Sequence, residues 1–144
     1  MDADRILLEH GGRIATRVAG AEVVVTGSAS VPGLEAADVD LVVLADDVGA
    51  AAAALRELYP VLYEEQWRDD WAAFRDPGPP HVDVVVTRRG SRGDAYHRLA
   101  WQLLRQDKHL LAEYRMLKGD PHDYEARKRA FFDRVVARLG DARG

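Results

Sequence analysis

The sequence predicts an α/β protein: a small mixed β-sheet flanked by helices, with a helical C-terminal segment. Three apolar runs bounded by Gly, Pro or Asp predict strands over 21–26, 39–45 and 82–87. After the polar, glycine-bearing loop 88–93, apolar residues instead recur at helical spacing. The chain has 144 residues, 47% of them hydrophobic, which is enough for one domain with a substantial core. We therefore expect a single domain over 1–144, with a sheet-bearing core at about 1–92 and a helical segment at about 93–138.

Helix and turn signals predict the remaining elements. A first helix, weakened by two adjacent glycines, is expected over 4–18, and an alanine-rich helix over 48–58. Segments 61–66 and 71–75 are predicted to be two further strands joined by a short polar loop. In the C-terminal segment, helices are expected over 94–106, 108–118 and 121–138.

Composition excludes several classes of protein. The chain has no cysteine, which excludes disulfides, zinc–thiolate sites and cysteine nucleophiles. Its first residues are acidic and lack a signal-peptide pattern, and no apolar run approaches the ~20 residues of a membrane helix. The formal net charge of −4 argues against general nucleic-acid binding. We therefore expect a cytoplasmic protein without a membrane partner; the sequence leaves its oligomeric state open.

The charge is unevenly distributed along the chain. Residues 1–92 carry 9 basic and 16 acidic residues, a balance of −7, whereas residues 93–138 carry 10 and 7, a balance of +3. An acidic part that holds metal beside a basic part that holds phosphate would produce this distribution. Ordinary solvated helix faces of different sign would produce it as well.

Three aspartates in apolar strands are the main candidates for a catalytic site. Asp38 and Asp40 are one residue apart at the start of a strand, so both side chains are expected on one sheet face. Two carboxylates that close repel each other, and a divalent cation such as Mg2+ would relieve the repulsion. Asp83 lies inside another apolar strand and joins them if the two strands are neighbours. Such a site would hold Mg2+ for transfer at phosphorus; for each aspartate alone, a strand-end cap or an ion pair is the alternative.

A Gly-Ser turn precedes the acidic strand. Gly27 allows the backbone to approach a ligand closely, and Ser28 offers a hydroxyl beside free N–H groups that suit a phosphate. Most Gly-Ser pairs are ordinary turns. The significance of this pair lies in its position, after one strand and before the two aspartates.

Two tyrosine–lysine pairs lie on the predicted C-terminal helices. Tyr114 and Lys118 are four residues apart, as are Tyr124 and Lys128, so the members of each pair share a helix face. A phenol beside an ammonium group can bind a phosphate oxygen. Packed tyrosines whose neighbouring lysines extend into water would have the same spacing.

The Gly-Ser turn and the helical pairs belong to longer segments that resemble the GrpB family, small proteins of the nucleotidyltransferase superfamily. The resemblance is carried by Gly27-Ser28-Ala29-Ser30-Val31-Pro32-Gly33-Leu34 before Asp38-Val39-Asp40, and by the two Tyr-x-x-x-Lys segments, over roughly residues 22–136. It implies a nucleotidyltransferase-like fold with a pocket for a phosphorylated ligand.

Three positions depart from the family pattern. A lysine that often follows Gly-Leu has no counterpart in 35–37, and the usual Phe-Arg-Asp before the first Tyr-x-x-x-Lys segment is replaced around 99–102. Where many members have His-Leu-His in the later strand, this chain has His81-Val82-Asp83. The third departure favours the three-carboxylate pattern of active nucleotidyltransferases.

The leading hypothesis is Mg2+-dependent nucleotidyl or phosphoryl transfer to a small molecule, with a nucleoside triphosphate as a candidate substrate. Asp38 and Asp40 would bind Mg2+, and Asp83 would complete the site and activate the acceptor. The phosphate-binding candidates are Gly27, Ser28, Tyr114, Lys118, Tyr124 and Lys128. Two alternatives remain: a non-catalytic module that binds a nucleotide, a CoA-like molecule or a phosphorylated metabolite, and a scaffold or partner subunit.

Overall fold

The fold is built on a four-stranded mixed sheet. The computed structural model describes the backbone of residues 2–143 and the side chains of residues 2–140. The strands are β1 (Glu22–Thr26), β2 (Val39–Leu44), β3 (Trp71–Asp76) and β4 (Val82–Thr87), in the order β1-β2-β4-β3. β2 and β4 are parallel, and each outer strand is antiparallel to its neighbour. The predicted α/β fold with a mixed sheet is confirmed.

One face of the sheet carries the main hydrophobic core. Alternate residues of β2 and β4 point to this face and are almost completely buried: Val39, Leu41, Val43, Val82, Val84 and Val86. Residues of the helices α1 (Ala3–Ala15) and α2 (Val48–Leu55) belong to the same cluster. The residues between them along each strand, which include Asp40 and Asp83, therefore point to the opposite face.

The helical segment forms a second buried cluster. It comprises α3 (Arg92–Asp94), a π-helical turn (Ala95–Leu99), α4 (Ala100–Gln106), α5 (Lys108–Lys118) and α6 (Tyr124–Arg143). Four aromatic side chains of this segment pack against one another at centroid distances of 5.1–6.0 Å: Trp101, Tyr114, Phe131 and Phe132. The buried Val31 adds the loop after β1 to the cluster, so this loop is fixed to the helices as well as to the sheet.

The predicted strand over 61–66 is wrong. Val61 forms an isolated bridge to Phe74. Its two hydrogen bonds join Leu62 N–H to the carbonyl of Ala73, at 2.9 Å, and Arg75 N–H to the carbonyl of Pro60, at 3.0 Å. The next residue, Tyr63, adopts a left-handed conformation with φ +53°, which turns the chain away from the edge of β3. Residues Glu64–Gln66 then form a short 3-10 turn.

Several predicted helix ends also differ from the structure. α1 ends at Ala15 and α2 at Leu55, each three residues before its predicted end. α6 begins at Tyr124 rather than at residue 121, because Asp123 has a positive φ of +49° that is incompatible with a helix.

A membrane-spanning helix was not expected from the sequence. Among the described residues, every helix is too short or too polar to cross a bilayer.

Candidate functional site

A cavity of about 380 Å³ lies on the sheet face opposite the main core. We call it the sheet cavity. Its floor includes Asp40 of β2 and Asp83 of β4, and residues of the helical segment that line it include His97, Trp101 and Lys128. A cavity of this size is within the range that binds small molecules.

Two of the three predicted carboxylates lie side by side in the floor of this cavity. Asp40 and Asp83 are direct partners in the parallel register of β2 and β4. Their Cα atoms are therefore separated by about one strand spacing, ~4.8 Å, with both side chains on the same face. Burial, and next the negative charge of Asp83, raise the pKa of Asp40 from 3.8 to about 6. Asp40 therefore keeps its proton to a higher pH than an exposed aspartate does.

Arg75 of β3 partly neutralises this pair. It lies opposite Asp83 in the antiparallel register of β3 and β4, and its guanidinium donates to both carboxylate oxygens, at 2.6 and 3.0 Å. These hydrogen bonds raise the pKa of Arg75. Asp40, by contrast, makes no side-chain hydrogen bond to any described residue.

The third predicted carboxylate is outside the cavity. Asp38 is exposed, immediately precedes β2, and is absent from the residues that line the cavity. Its charge still acts weakly on Asp40, whose pKa it raises. Among the described side chains, those of residues 2–140, no three His, Asp or Glu residues come close enough together to hold a metal ion.

The Gly-Ser turn borders the acidic pair through Gly27. This glycine has φ +68°, and a Cβ atom added to it would lie 3.0 Å from the Cγ atom of Asp40 and closer still to a carboxylate oxygen. A side chain here would therefore collide with Asp40 and strain the backbone. Glycine is required so that the turn can approach the carboxylate.

Ser28 is directed toward α5. Its Oγ lies 3.2 Å from the hydroxyl of Tyr114 and 3.4 Å from Nζ of Lys118. Lys118 also donates to the carbonyl oxygen of Glu35 at 2.9 Å. These contacts hold the loop after β1 against α5. The first Tyr-x-x-x-Lys pair therefore supports the turn and does not line the sheet cavity.

In the second pair, Lys128 lies beside the acids, whereas Tyr124 is not among the residues that line the sheet cavity. Lys128 lines the sheet cavity, and its positive charge lowers the pKa of Asp40, against the larger effect of burial. Its Nζ atom is 5.7 Å from the centre of the Tyr124 ring. Burial, and next the hydroxyl of Tyr114, raise the pKa of Tyr124. Arg129 adds a second basic residue to the cavity wall.

Arg75, which binds Asp83, and His97, which lines the cavity, were not identified as site residues from the sequence. Arg75 is an arginine in a predicted strand, and only the pairing of β3 with β4 shows that it meets Asp83. His97 falls within the helix predicted over 94–106. In the structure it lies on the π-helical turn, and such turns occur often at functional sites.

Comparison with protein families matches residues 8–138 to the model described as "GrpB protein". The chain belongs to the GrpB family. The resemblance predicted from the Gly27–Leu34 block is thereby confirmed. The search of curated proteins finds no match for the chain.

Among solved structures, GrpB from Enterococcus faecalis is similar, with a TM-score of 0.73 over 94% of this chain and 93% of that chain. The two sequences are 17% identical. The likeness therefore establishes a shared GrpB fold over nearly the whole chain, and it carries no information about activity or substrate.

Proposed function

We propose that this GrpB-family protein binds a nucleoside triphosphate, or another small phosphorylated ligand, together with Mg2+ in the sheet cavity. The reaction class that such a site serves is nucleotidyl or phosphoryl transfer to a small molecule. The supporting observation is the in-register pair of Asp40 and Asp83 in the cavity floor, with the pKa of Asp40 raised to about 6.

The acidic pair supplies as many carboxylates as a Mg2+ site shared with a phosphorylated ligand needs. Protein sites for Mg2+ commonly supply one or two carboxylates and leave the other positions to waters and substrate phosphates. Asp40 and Asp83 meet that requirement without Asp38. The cation would neutralise the phosphates and polarise the phosphorus under attack. We therefore expect metal and phosphorylated ligand to bind together, since the described residues offer no cluster that would hold the metal alone.

Other residues of the cavity would bind the phosphates, let the backbone approach Asp40 and accept a proton. Lys128 and Arg129 bring positive charge to the cavity wall that faces the acids, where phosphate oxygens would lie. Gly27 allows the backbone to stand next to Asp40. Asp40 is also the better candidate for accepting a proton from the acceptor, because Arg75 already binds both oxygens of Asp83.

The test is calorimetric titration of ATP, GTP, CTP and UTP, with and without Mg2+, into the wild type, Asp40→Asn and Asp38→Asn. We expect Mg2+-dependent binding of at least one nucleotide in the wild type. It is lost in Asp40→Asn and kept in Asp38→Asn, because only Asp40 lines the cavity. Absence of Mg2+-dependent binding in the wild type, or its survival in Asp40→Asn, contradicts the proposal.

One observation favours a second candidate, a module that binds the same class of ligand without catalysis. The ion pair between Arg75 and Asp83 occupies an acid that an active three-carboxylate site would leave open. Incubation of the bound nucleotide with diverse small-molecule alcohols, amines and phosphates separates the two. Release of pyrophosphate or nucleoside diphosphate supports transfer, whereas tight binding with an unchanged nucleotide supports the binding module.

A further inference from the structure

The sheet cavity has an apolar end as well as the acidic one. On the same sheet face, the next residues along the strands are Val42, Val85 and Ala73, and all three line the cavity. Trp71 follows at the far end of β3. Its Cα lies four residues from that of Arg75, or about 13 Å at the usual rise of a strand. The cavity floor thus changes from acids to an aromatic side chain over the length of a nucleotide-sized ligand.

His97 lies above this apolar end in a fixed orientation. Nε1 of Trp71 lies 3.1 Å from Nε2 of His97. Because an indole N–H only donates, Nε2 is the acceptor and the ring proton is on Nδ1. The hydroxyl of Thr26 donates to the main-chain carbonyl of His97, which holds the π-helical turn against β1. Burial lowers the pKa of His97 to about 4, so the imidazole is neutral at pH 7.

The Nδ1–H group of His97 is an unused donor. It makes no hydrogen bond to any described residue, whereas Nε2 does. No fully buried side-chain nitrogen or oxygen among the described residues lacks a partner, so Nδ1 keeps some solvent-accessible surface. His97 lines the sheet cavity, and the flat side chains of Trp71, Tyr96 and Trp101 line it too. A neutral donor beside aromatic surfaces suits a flat ring that carries a hydrogen-bond acceptor.

We propose that the apolar end of the sheet cavity receives a heteroaromatic ring of the ligand, of the nucleobase class, and that Nδ1–H of His97 donates to an acceptor on that ring. This assignment rests on the function proposed above and adds what that function leaves open, namely how the non-phosphate part of the ligand is recognised. The predicted ligand has an anionic head at Asp40 and Asp83 and a planar ring at Trp71 and His97.

The test compares probes with and without the ring. Inorganic tripolyphosphate carries the same anionic head as a nucleoside triphosphate but no ring. With Mg2+ present, we expect wild-type protein to bind the best of ATP, GTP, CTP and UTP at least about tenfold more tightly than tripolyphosphate, which corresponds to about 1.4 kcal/mol. Equal affinities for all five probes overturn the proposal while leaving the Mg2+–phosphate site intact.

Two substitutions at His97 test the roles of its two ring nitrogens separately. His97→Gln places a side-chain amide oxygen near the Nε2 position, where it can accept from Trp71, and removes the Nδ1 donor. His97→Asn places an amide N–H near the Nδ1 position and loses the contact with Trp71. We expect His97→Gln to weaken nucleotide binding about fivefold to tenfold with unchanged tripolyphosphate affinity, and His97→Asn to retain most of the nucleotide affinity.

Circular dichroism at the titration temperature establishes that both variants are folded. Parallel losses for nucleotide and tripolyphosphate in His97→Gln would show a structural role and overturn the proposal. Unchanged nucleotide affinity in a folded His97→Gln protein overturns it as well. Absence of binding by any triphosphate probe, ringless or not, removes the proposed function and this assignment together.

Discussion

The two Tyr-x-x-x-Lys segments have the same spacing and different surroundings. Tyr114 of α5 is 1% exposed, and both it and Lys118 contact Ser28 in the loop after β1. Tyr124 of α6 is only partly buried, and its neighbour Lys128 lines the sheet cavity beside the acids. One segment therefore holds the Gly-Ser turn in place, and the other contributes charge to the cavity.

The difference shows what helical spacing determines and what it leaves open. Residues four apart share a helix face in both segments, as the sequence predicts. Which neighbour that face meets depends on the packing of α5 and α6 against the rest of the chain, and the spacing contains no information on this packing. The same substitution made in each segment therefore tests directly whether the two segments have different roles.

The largest expected difference between the two segments is the contribution of each tyrosine to the stability of the fold. Tyr114→Ala empties a site enclosed by Trp101, Phe131 and Phe132, and we expect it to lower the free energy of unfolding by about 3–5 kcal/mol. Tyr124→Ala removes a partly buried ring at the first residue of α6 and is expected to cost about 1 kcal/mol. Urea denaturation followed by circular dichroism measures both values.

Tyr114→Phe is the matched control for this pair. It keeps the ring and removes only the hydroxyl that lies 3.2 Å from Ser28, so about 1 kcal/mol is expected. A loss in Tyr124→Ala as large as that in Tyr114→Ala would show that α5 and α6 do not differ in the way the structure indicates.

The second prediction concerns the acids that Lys128 faces. The pKa of Asp40 is raised from 3.8 to about 6 in the native protein, so the folded state holds its proton more tightly than the unfolded state. Below about pH 3 the carboxyl is protonated in both states and contributes nothing. As the pH rises from about 3 to about 7, the wild type loses up to about 3 kcal/mol of stability, because the unfolded state ionises at lower pH than the native state.

The Asp40→Asn variant does not lose stability in this way as the pH rises, because asparagine does not ionise. Without added metal, we expect its unfolding free energy relative to wild type to rise by about 2 kcal/mol between pH 4.5 and pH 8. Asp38→Asn, at the exposed neighbouring position, should show no comparable change. The measurement is urea denaturation of all three proteins at each pH; a difference between Asp40→Asn and wild type that is independent of pH would contradict the raised pKa.

The sequence predicts those strands that have a strong hydrophobic pattern. β1, β2 and β4 are predominantly apolar segments, and the structure places each within one residue of its predicted bounds. Segment 61–66 begins with a similar run, Val61-Leu62-Tyr63, but the left-handed backbone of Tyr63 stops the pairing after one bridge. Most residues avoid that conformation, so no propensity indicates it.

For the candidate site, the strand pattern predicts that Asp40 and Asp83 lie together, but it does not predict which other residues surround them. Alternation within two apolar strands is enough to put Asp40 and Asp83 on one sheet face. Asp38 has the same parity as Asp40 but precedes β2, so no ladder holds it over the cavity. Arg75 meets Asp83 because of the strand order β2-β4-β3, and His97 reaches the cavity because of the packing of the π-helical turn. Both are tertiary properties.

The smallest expected effect distinguishes the two lysines directly. Lys128 lowers the pKa of Asp40, so Lys128→Met should raise that pKa further, by a few tenths of a unit. Lys118→Met should leave it unchanged, because Lys118 instead donates to Ser28 and the carbonyl of Glu35. Carbon-13 NMR titration of the Asp40 carboxyl in low salt, where screening is weakest, measures both. Equal shifts in the two variants would mean that α5 and α6 present their lysines to the acids alike, and the division between a supporting segment and a cavity segment would fail.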